Sequence, residues 1–231
     1  MKRFYQICIL LGTFLCVACS NGSSDSGNGN SYTGAGPATG DAQATATGTS
    51  TGTHTSLTAP SVPTSSYTIP INLSSQTADI PASLTSEVTV TADLKTFTAG
   101  STTVISVSST CSSVITYRLS GSLDNGMFYV ENSAADYIVE LDGASITSTV
   151  TPAMLLKKGT AYIVTSSGTT NCFSDGRDFT SSADYGDYDQ KGGIHATKDM
   201  VLSGSGSLKV ASAGYKSGIY AKGLLSVIGG T

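Results

Sequence analysis

The chain has 231 residues, only 12% of them charged, and its 12 Lys and Arg against 16 Asp and Glu leave a formal net charge of −4. Neither Lys nor Arg occurs between Arg3 and Lys95. The clustered cations that a phosphate backbone requires are therefore missing, and no nucleic-acid partner is expected.

Lys2 and Arg3 precede an apolar run over residues 4–18, after which the sequence turns abruptly small and polar at Cys19-Ser20. The run falls short of the ~20 apolar residues that span a bilayer, so residues 1–18 are predicted to be a secretory signal. Val17-Ala18-Cys19-Ser20 resembles the bacterial lipoprotein box, departing from it where Cys16 stands in place of the usual leucine three residues before the cysteine. The resemblance implies cleavage before Cys19 and lipid attachment to it. An exported chain would then be held by its N-terminal lipid on the membrane of the bacterial cell envelope, at the outer membrane or cell surface. Each buried acyl methylene contributes about 0.8 kcal/mol, enough for several chains on Cys19 to keep the protein there. Residues 19–66 are almost wholly Ser, Thr, Gly, Asn, Ala and Pro, with Tyr32 the single aromatic. So little apolar area cannot offset the chain's entropy, which predicts a flexible tether with a root-mean-square reach of about 35–40 Å.

From Tyr67 onward the β signal is continuous, and residues 67–231 are expected to form one domain. Glu87-Val88-Thr89-Val90-Thr91, Val104-Ile105-Ser106-Val107 and Val114-Ile115-Thr116-Tyr117-Arg118-Leu119 carry β-branched residues in a rhythm of two, the period of strands with one buried face. Turn signals at Gly121, Asp124-Asn125-Gly126, Asp142-Gly143, Lys158-Gly159, Ser167-Gly168 and Asp175-Gly176 punctuate it, with strands predicted at 127–131, 137–141 and 161–165. No window carries a sustained helical period.

Residues 193–204 align without a gap on residues 218–229 at an offset of 25, matching Gly193/Gly218, Ile194/Ile219, Ala196/Ala221, Met200/Leu225, Leu202/Val227 and Gly204/Gly229. A unit of two short strands with glycine corners cannot bury its apolar face alone and must lie on its neighbours. The predicted fold is all-β, a parallel β-helix or solenoid. Residues 153–165 match the same unit with one residue extra at an offset of 40, which places an insertion at roughly Asn171 to Gly192. Cys111 and Cys172 lie 61 residues apart, two to three coils at a strand spacing of ~4.8 Å, whereas a disulfide needs Cα atoms within about 7 Å. Buried thiols packed as small apolar groups are expected; a bridge through loops is the alternative.

The insertion concentrates carboxylates at Asp175, Asp178, Asp184, Asp187 and Asp189, interleaved with Tyr185 and Tyr188. Ca2+ takes about six to eight oxygen ligands, and Asp184, Asp187 and Asp189 are the candidate metal ligands. An acidic, solvated loop is the alternative; the spacing is not that of an EF-hand, because Lys191 and Lys198 stand where oxygen donors should be. Sugar rings present an apolar face and many hydroxyls, so a site for them needs exposed aromatics and hydrogen-bonding groups on a rigid platform. His195 and Tyr220 hold the same outward position in neighbouring units and, with Tyr188, Lys198 and Lys222, are the candidate carbohydrate contacts. Ordinary outward β residues packed on one another are the alternative.

Residues 113–231 carry Tyr117-Arg118-Leu119-Ser120-Gly121-Ser122-Leu123, Val139-Glu140-Leu141-Asp142-Gly143, the Lys198 to Gly206 stretch and the closing Ser226-Val227-Ile228-Gly229-Gly230-Thr231. On these residues the chain resembles the carbohydrate-binding β-helix family of bacterial surface lipoproteins. The resemblance implies a right-handed parallel β-helix shaped like the pectate lyases, a cellulose-like or acidic polysaccharide as partner, and calcium in at least one member. Binding without cleavage is the expected activity. The alternatives are a structural surface protein or adhesin, and a calcium-dependent lyase with Asp187 or Asp189 beside Lys191 or Lys198. His195 is the only histidine after residue 66, and neither zinc-type Cys/His spacing nor a dinucleotide fingerprint occurs. Family members continue with further coils where this sequence stops, so a truncated C-terminal end is expected.

Overall fold

The computed structural model describes residues 59–177, 191–213 and 217–229. In chain order its strands are β1 (Tyr67–Asn72), β2 (Thr77–Ala78), β3 (Val88–Phe97), β4 (Gly100–Ser109), β5 (Ile115–Leu123), β6 (Gly126–Ser133), β7 (Tyr137–Ser148), β8 (Met154–Leu156), β9 (Ala161–Thr165), β10 (Thr170–Asp175), β11 (Gly192–Ala196), β12 (Met200–Gly204), β13 (Ser207–Ser212), β14 (Ser217–Ala221) and β15 (Leu225–Val227). A three-residue 3-10 turn, Ala82–Leu84, is the one helical element among the described residues.

Two sheets result. One runs β15-β12-β9-β7-β5-β1-β2, with β10 joined to it through β7 and β13 paired to β10; the other runs β14-β11-β8-β6-β4-β3. Pairing is antiparallel only for β1 with β2 and β3 with β4, and parallel elsewhere. The 25-residue unit of the sequence is visible as register: Ile194 lies opposite Ile219, Ala196 opposite Ala221, Met200 opposite Leu225 and Leu202 opposite Val227. The looser unit falls into the same rows, Met154 against Ile194 and Ala161 against Met200. Its extra residue is absorbed at the β8 to β9 corner, where Lys158 takes a φ of 61°. The architecture is all-β, with parallel strands in both sheets, as the alternation leads one to expect.

Strand periodicity decides which side chains are inside. Ile115, Tyr137, Ala161 and Met200 form one inward row, and Tyr117, Val139, Ile163 and Leu202 the next. A further row, Leu123, Ile146, Phe173 and Val210, runs through β10 and β13. These rows belong to one continuous apolar core. Burying each large side chain contributes about 1.5–3 kcal/mol, so repetition supplies stability that no single unit has. Asn171 is buried among them and fully partnered: its Oδ1 accepts from the Ala144 amide at 2.9 Å, and its Nδ2 donates to Thr169 Oγ1 at 3.0 Å and the Ser207 carbonyl at 3.1 Å. One amide thereby ties three neighbouring strands and leaves no desolvated polar atom. Corners use aspartate in the same way, Asp136 Oδ1 accepting from the Thr160 amide at 2.7 Å and Asp199 Oδ1 from the Leu224 amide at 2.8 Å. Gly204 has a φ of +103° against the backbone of Thr165, so a side chain there would collide with the neighbouring strand.

Three expectations are corrected. The segment from Asn171 is not yet insertion: Thr170–Asp175 is strand β10, paired with both β7 and β13, because Asn171, Phe173 and Asp175 alternate inward. Cys111 and Cys172 are both free thiols, but only Cys111 is buried; Cys172 faces outward on β10, on the opposite parity to Phe173, and is half-buried. Asp175, read as part of an acidic loop, is 1% exposed. At the β14/β15 side of the sheets Leu224, Leu225 and Val227 are 61%, 43% and 56% exposed.

Candidate functional site

The outward face of the β14-β11-β8-β6-β4-β3 sheet carries two adjacent columns of side chains. Strand register sets Tyr129, Leu155, His195 and Tyr220 in one row across β6, β8, β11 and β14. Neighbours in such a row stand ~4.8 Å apart. The His195 and Tyr220 rings lie with centroids 4.9 Å apart and planes 31° to each other. Two residues further along each strand the amides of Lys157, Thr197 and Lys222 continue the ladder, donating to the carbonyls of Val130, Leu156 and Ala196 at 2.9 Å each. That continuation places Lys157, Thr197 and Lys222 in a polar column beside the aromatic one.

Cations face the rings. Lys157 Nζ lies 5.2 Å from the centroid of Tyr129, and Lys191 Nζ lies 5.6 Å from that of Tyr220. Cation–π contacts of this kind are worth about 0.5–1 kcal/mol where exposed, and hold the lysines across the aromatic row. Lys191, Lys198 and Lys222 are exposed, and Tyr220 is half-buried. His195 is only 4% exposed, which departs from the expected open platform: the imidazole is enclosed between Leu155 on one strand and Tyr220 on the next. Tyr129 and Leu155 are buried too and, with Val104 and Met127, form a second apolar cluster separate from the core. Burial pushes the His195 pKa down to about 4, helped by the charges of Arg177, Lys191 and Lys222, so the ring is neutral near pH 7. Its Nδ1 is buried and has no hydrogen-bond partner among the described residues. A half-open tyrosine ring, supported by the buried neutral imidazole and flanked by a lysine column, can stack on a flat ring and hydrogen-bond its substituents.

Of the residues singled out by sequence, His195, Tyr220 and Lys222 come together on this face, with Lys198 at the corner that follows β11. Tyr188, Asp184, Asp187, Asp189 and Cys19 lie outside the described residues. Among the described residues no cluster of three or more His, Cys, Asp or Glu side chains fits a metal ion. Sequence reasoning missed Tyr129 and Leu155 as members of the row. Extending the repeat back to β6 would have found them, since Tyr129 stands opposite Leu155 as His195 stands opposite Tyr220. It also missed Arg177, whose fully buried guanidinium pairs with Asp175 at 2.6 Å.

Parallel-stranded all-β architecture with an aromatic and basic outer face defines the general class. Residues 82–231, well over half the chain, match the family described as carbohydrate-binding domain-containing protein, and the chain belongs to that family. Among solved structures, the chain is similar to a polysaccharide lyase-like protein from C. thermocellum, determined as a gadolinium derivative, with a TM-score of 0.53 and 21% identity. The match covers 71% of this chain and 59% of that one, and at such identity the likeness is one of fold. A comparison with curated proteins finds no match.

Proposed function

We propose that this is a lipid-anchored protein of the bacterial cell envelope, at the outer membrane or cell surface, which binds polysaccharide without cleaving it. Family membership supports carbohydrate as the ligand class. The observation that carries the reading to particular residues is the stacked His195–Tyr220 pair, at 4.9 Å, beside the lysine column. In this reading a sugar ring lies on Tyr220, which the buried His195 ring supports from the side, and Lys198, Lys222 and Tyr188 contact the rest of a cellulose-like or acidic chain. The in-register rows and parallel pairing support coils of a right-handed parallel β-helix, which would present this face as a rigid platform. Cys19, by its lipoprotein-box context, carries the lipid, and residues 19–66 hold the platform away from the membrane. Asp184, Asp187 and Asp189 form a hard-oxygen donor set for Ca2+ by their sequence alone, so calcium enters as a variable of the assay.

A lyase is the second reading, favoured by the fold likeness to a protein described as polysaccharide lyase-like. Retention of the full chain on cellulose and on polygalacturonate, with and without chelator and with analysis of released products, separates these readings. Retention without products supports the binding module, and chelator-sensitive retention adds calcium. Unsaturated sugar products support the lyase. Absence of retention on both glycans points to a structural surface protein or adhesin.

A further inference from the structure

The fully buried Asp175–Arg177 pair belongs neither to the apolar core nor to the outward columns. Asp175 ends β10, and its Oδ1 accepts from the backbone amide of Arg177 at 3.1 Å and from its Nε at 2.9 Å. Oδ2 accepts from Nη2 at 2.6 Å, so the guanidinium fork is held on the carboxylate through two parallel bonds. The same Nη2 reaches the carbonyl of Gly192, the first residue of β11, at 3.4 Å. Asp175 also takes part in the stacking: its carbonyl accepts from the Ala213 amide at 2.8 Å, and its Cβ packs where a side chain on Gly193 would fall. Both side chains are 0% exposed. An ion pair so placed is seldom kept for stability, because apolar residues of equal volume serve as well, whereas its fork geometry fixes the position of whatever it joins.

We propose that the Asp175–Arg177 pair is the positioning element of the platform, joining the end of β10 to the start of β11 across the inserted segment and thereby setting His195 against Tyr220. Pairing with β8 and β14 sets the register of β11, and the guanidinium, through the Gly192 carbonyl, fixes where that strand starts relative to the end of β10. Arg177 has a second effect: burial is the main cause of the lowered His195 pKa, and the charge of Arg177, with those of Lys191 and Lys222, adds to it by disfavouring the imidazolium. Arg177 and Asp175 act through His195 and are not ligand contacts. The proposal rests on the carbohydrate reading only for the purpose of the platform, not for the geometry it assigns.

The test is NMR of the His195 ring in the full chain, read as its titration midpoint and as the ring-current shift from Tyr220, together with polygalacturonate retention. Arg177→Met, confirmed folded by circular dichroism, is expected to collapse the ring-current shift and to raise the His195 midpoint above about 4 but short of its ordinary value, since burial is the larger cause of the lowering and Lys191 and Lys222 remain. Arg177→Lys is expected to keep the lowered midpoint and recover part of the shift. If Arg177→Met does not fold, the paired replacement of Asp175→Leu with Arg177→Met removes both charges at similar volume and carries the same expectation. A wild-type ring-current shift in Arg177→Met or in the paired replacement, whatever the midpoint, would overturn the proposal and leave the pair as core filling. Changed ring signals in the variants of a wild-type chain that retains no glycan would uphold the positioning role while sinking the carbohydrate reading.

Discussion

Gly204→Ala probes how closely strands β12 and β9 approach. Gly204 stands opposite Thr165 in the β12–β9 pair and has a φ of +103°. A methyl on its Cα would meet the carbonyl oxygen, amide nitrogen and hydroxyl of Thr165, and that carbonyl already accepts from the amides of Ser205 at 3.1 Å and Gly206 at 3.3 Å. The obstruction is backbone that cannot swing aside. Strain in a region reserved for glycine costs about 1–3 kcal/mol, and overpacking against fixed neighbours a further amount of about 1–3 kcal/mol. Gly168 supplies the control, with a φ of +73° but nothing within 4 Å of the position its Cβ would take. Gly168→Ala should show only the backbone cost, about 1–2 kcal/mol. Urea unfolding followed by far-ultraviolet circular dichroism measures both, and Gly204→Ala should be the more destabilised by about 1–3 kcal/mol, the overpacking contribution. Equal losses in the two variants would refute the close approach of β12 to β9.

Phe173→Ala empties the row between Ile146 and Val210 and should cost about 3–5 kcal/mol in the same urea assay, which also checks that β10 is a core strand and not insertion. His195 ties stability to acidity: its pKa is lowered from 6.5 to about 4 on folding, so its contribution is fully present above 6.5 and is lost as pH falls toward 4. Urea midpoints measured across that range should fall with pH in the wild type and fall less steeply in His195→Gln. Tyr220→Ala removes the open ring of the platform and should weaken glycan retention about tenfold, the equivalent of about 1.4 kcal/mol, without changing far-ultraviolet circular dichroism.

Much of this fold was legible because strand periodicity and register are properties of the sequence itself. The 25-residue match puts Ile194 on Ile219 and Leu202 on Val227, and these are direct partners in the sheets. The same match placed His195 beside Tyr220, since residues equivalent in a stacked repeat become neighbours. What could not be read is how far an outward side chain is covered: His195 points away from the core yet is buried between the side chains of adjacent strands, which no alternation pattern encodes. Asp175 was misjudged for a related reason. An aspartate beside a glycine reads as a turn, and only the fork of Arg177 two residues on makes it an inward residue. Leu155 stands at the His195 position in the match at an offset of 40, but a leucine gives no sign of a binding row, and Tyr129 lies one unit earlier, beyond the aligned repeat, although the backbone holds it in the same row.

The outer face of β11 and β14 is the proposed resting place of the glycan, and calorimetric titration of soluble polygalacturonate and a soluble cellulose oligomer into the full chain tests this most directly. Saturable heat with at least one glycan, reduced about tenfold in affinity by Tyr220→Ala and unaccompanied by new sugar products, is the predicted result. Absence of saturable heat with both, or wild-type affinity in Tyr220→Ala, would contradict it.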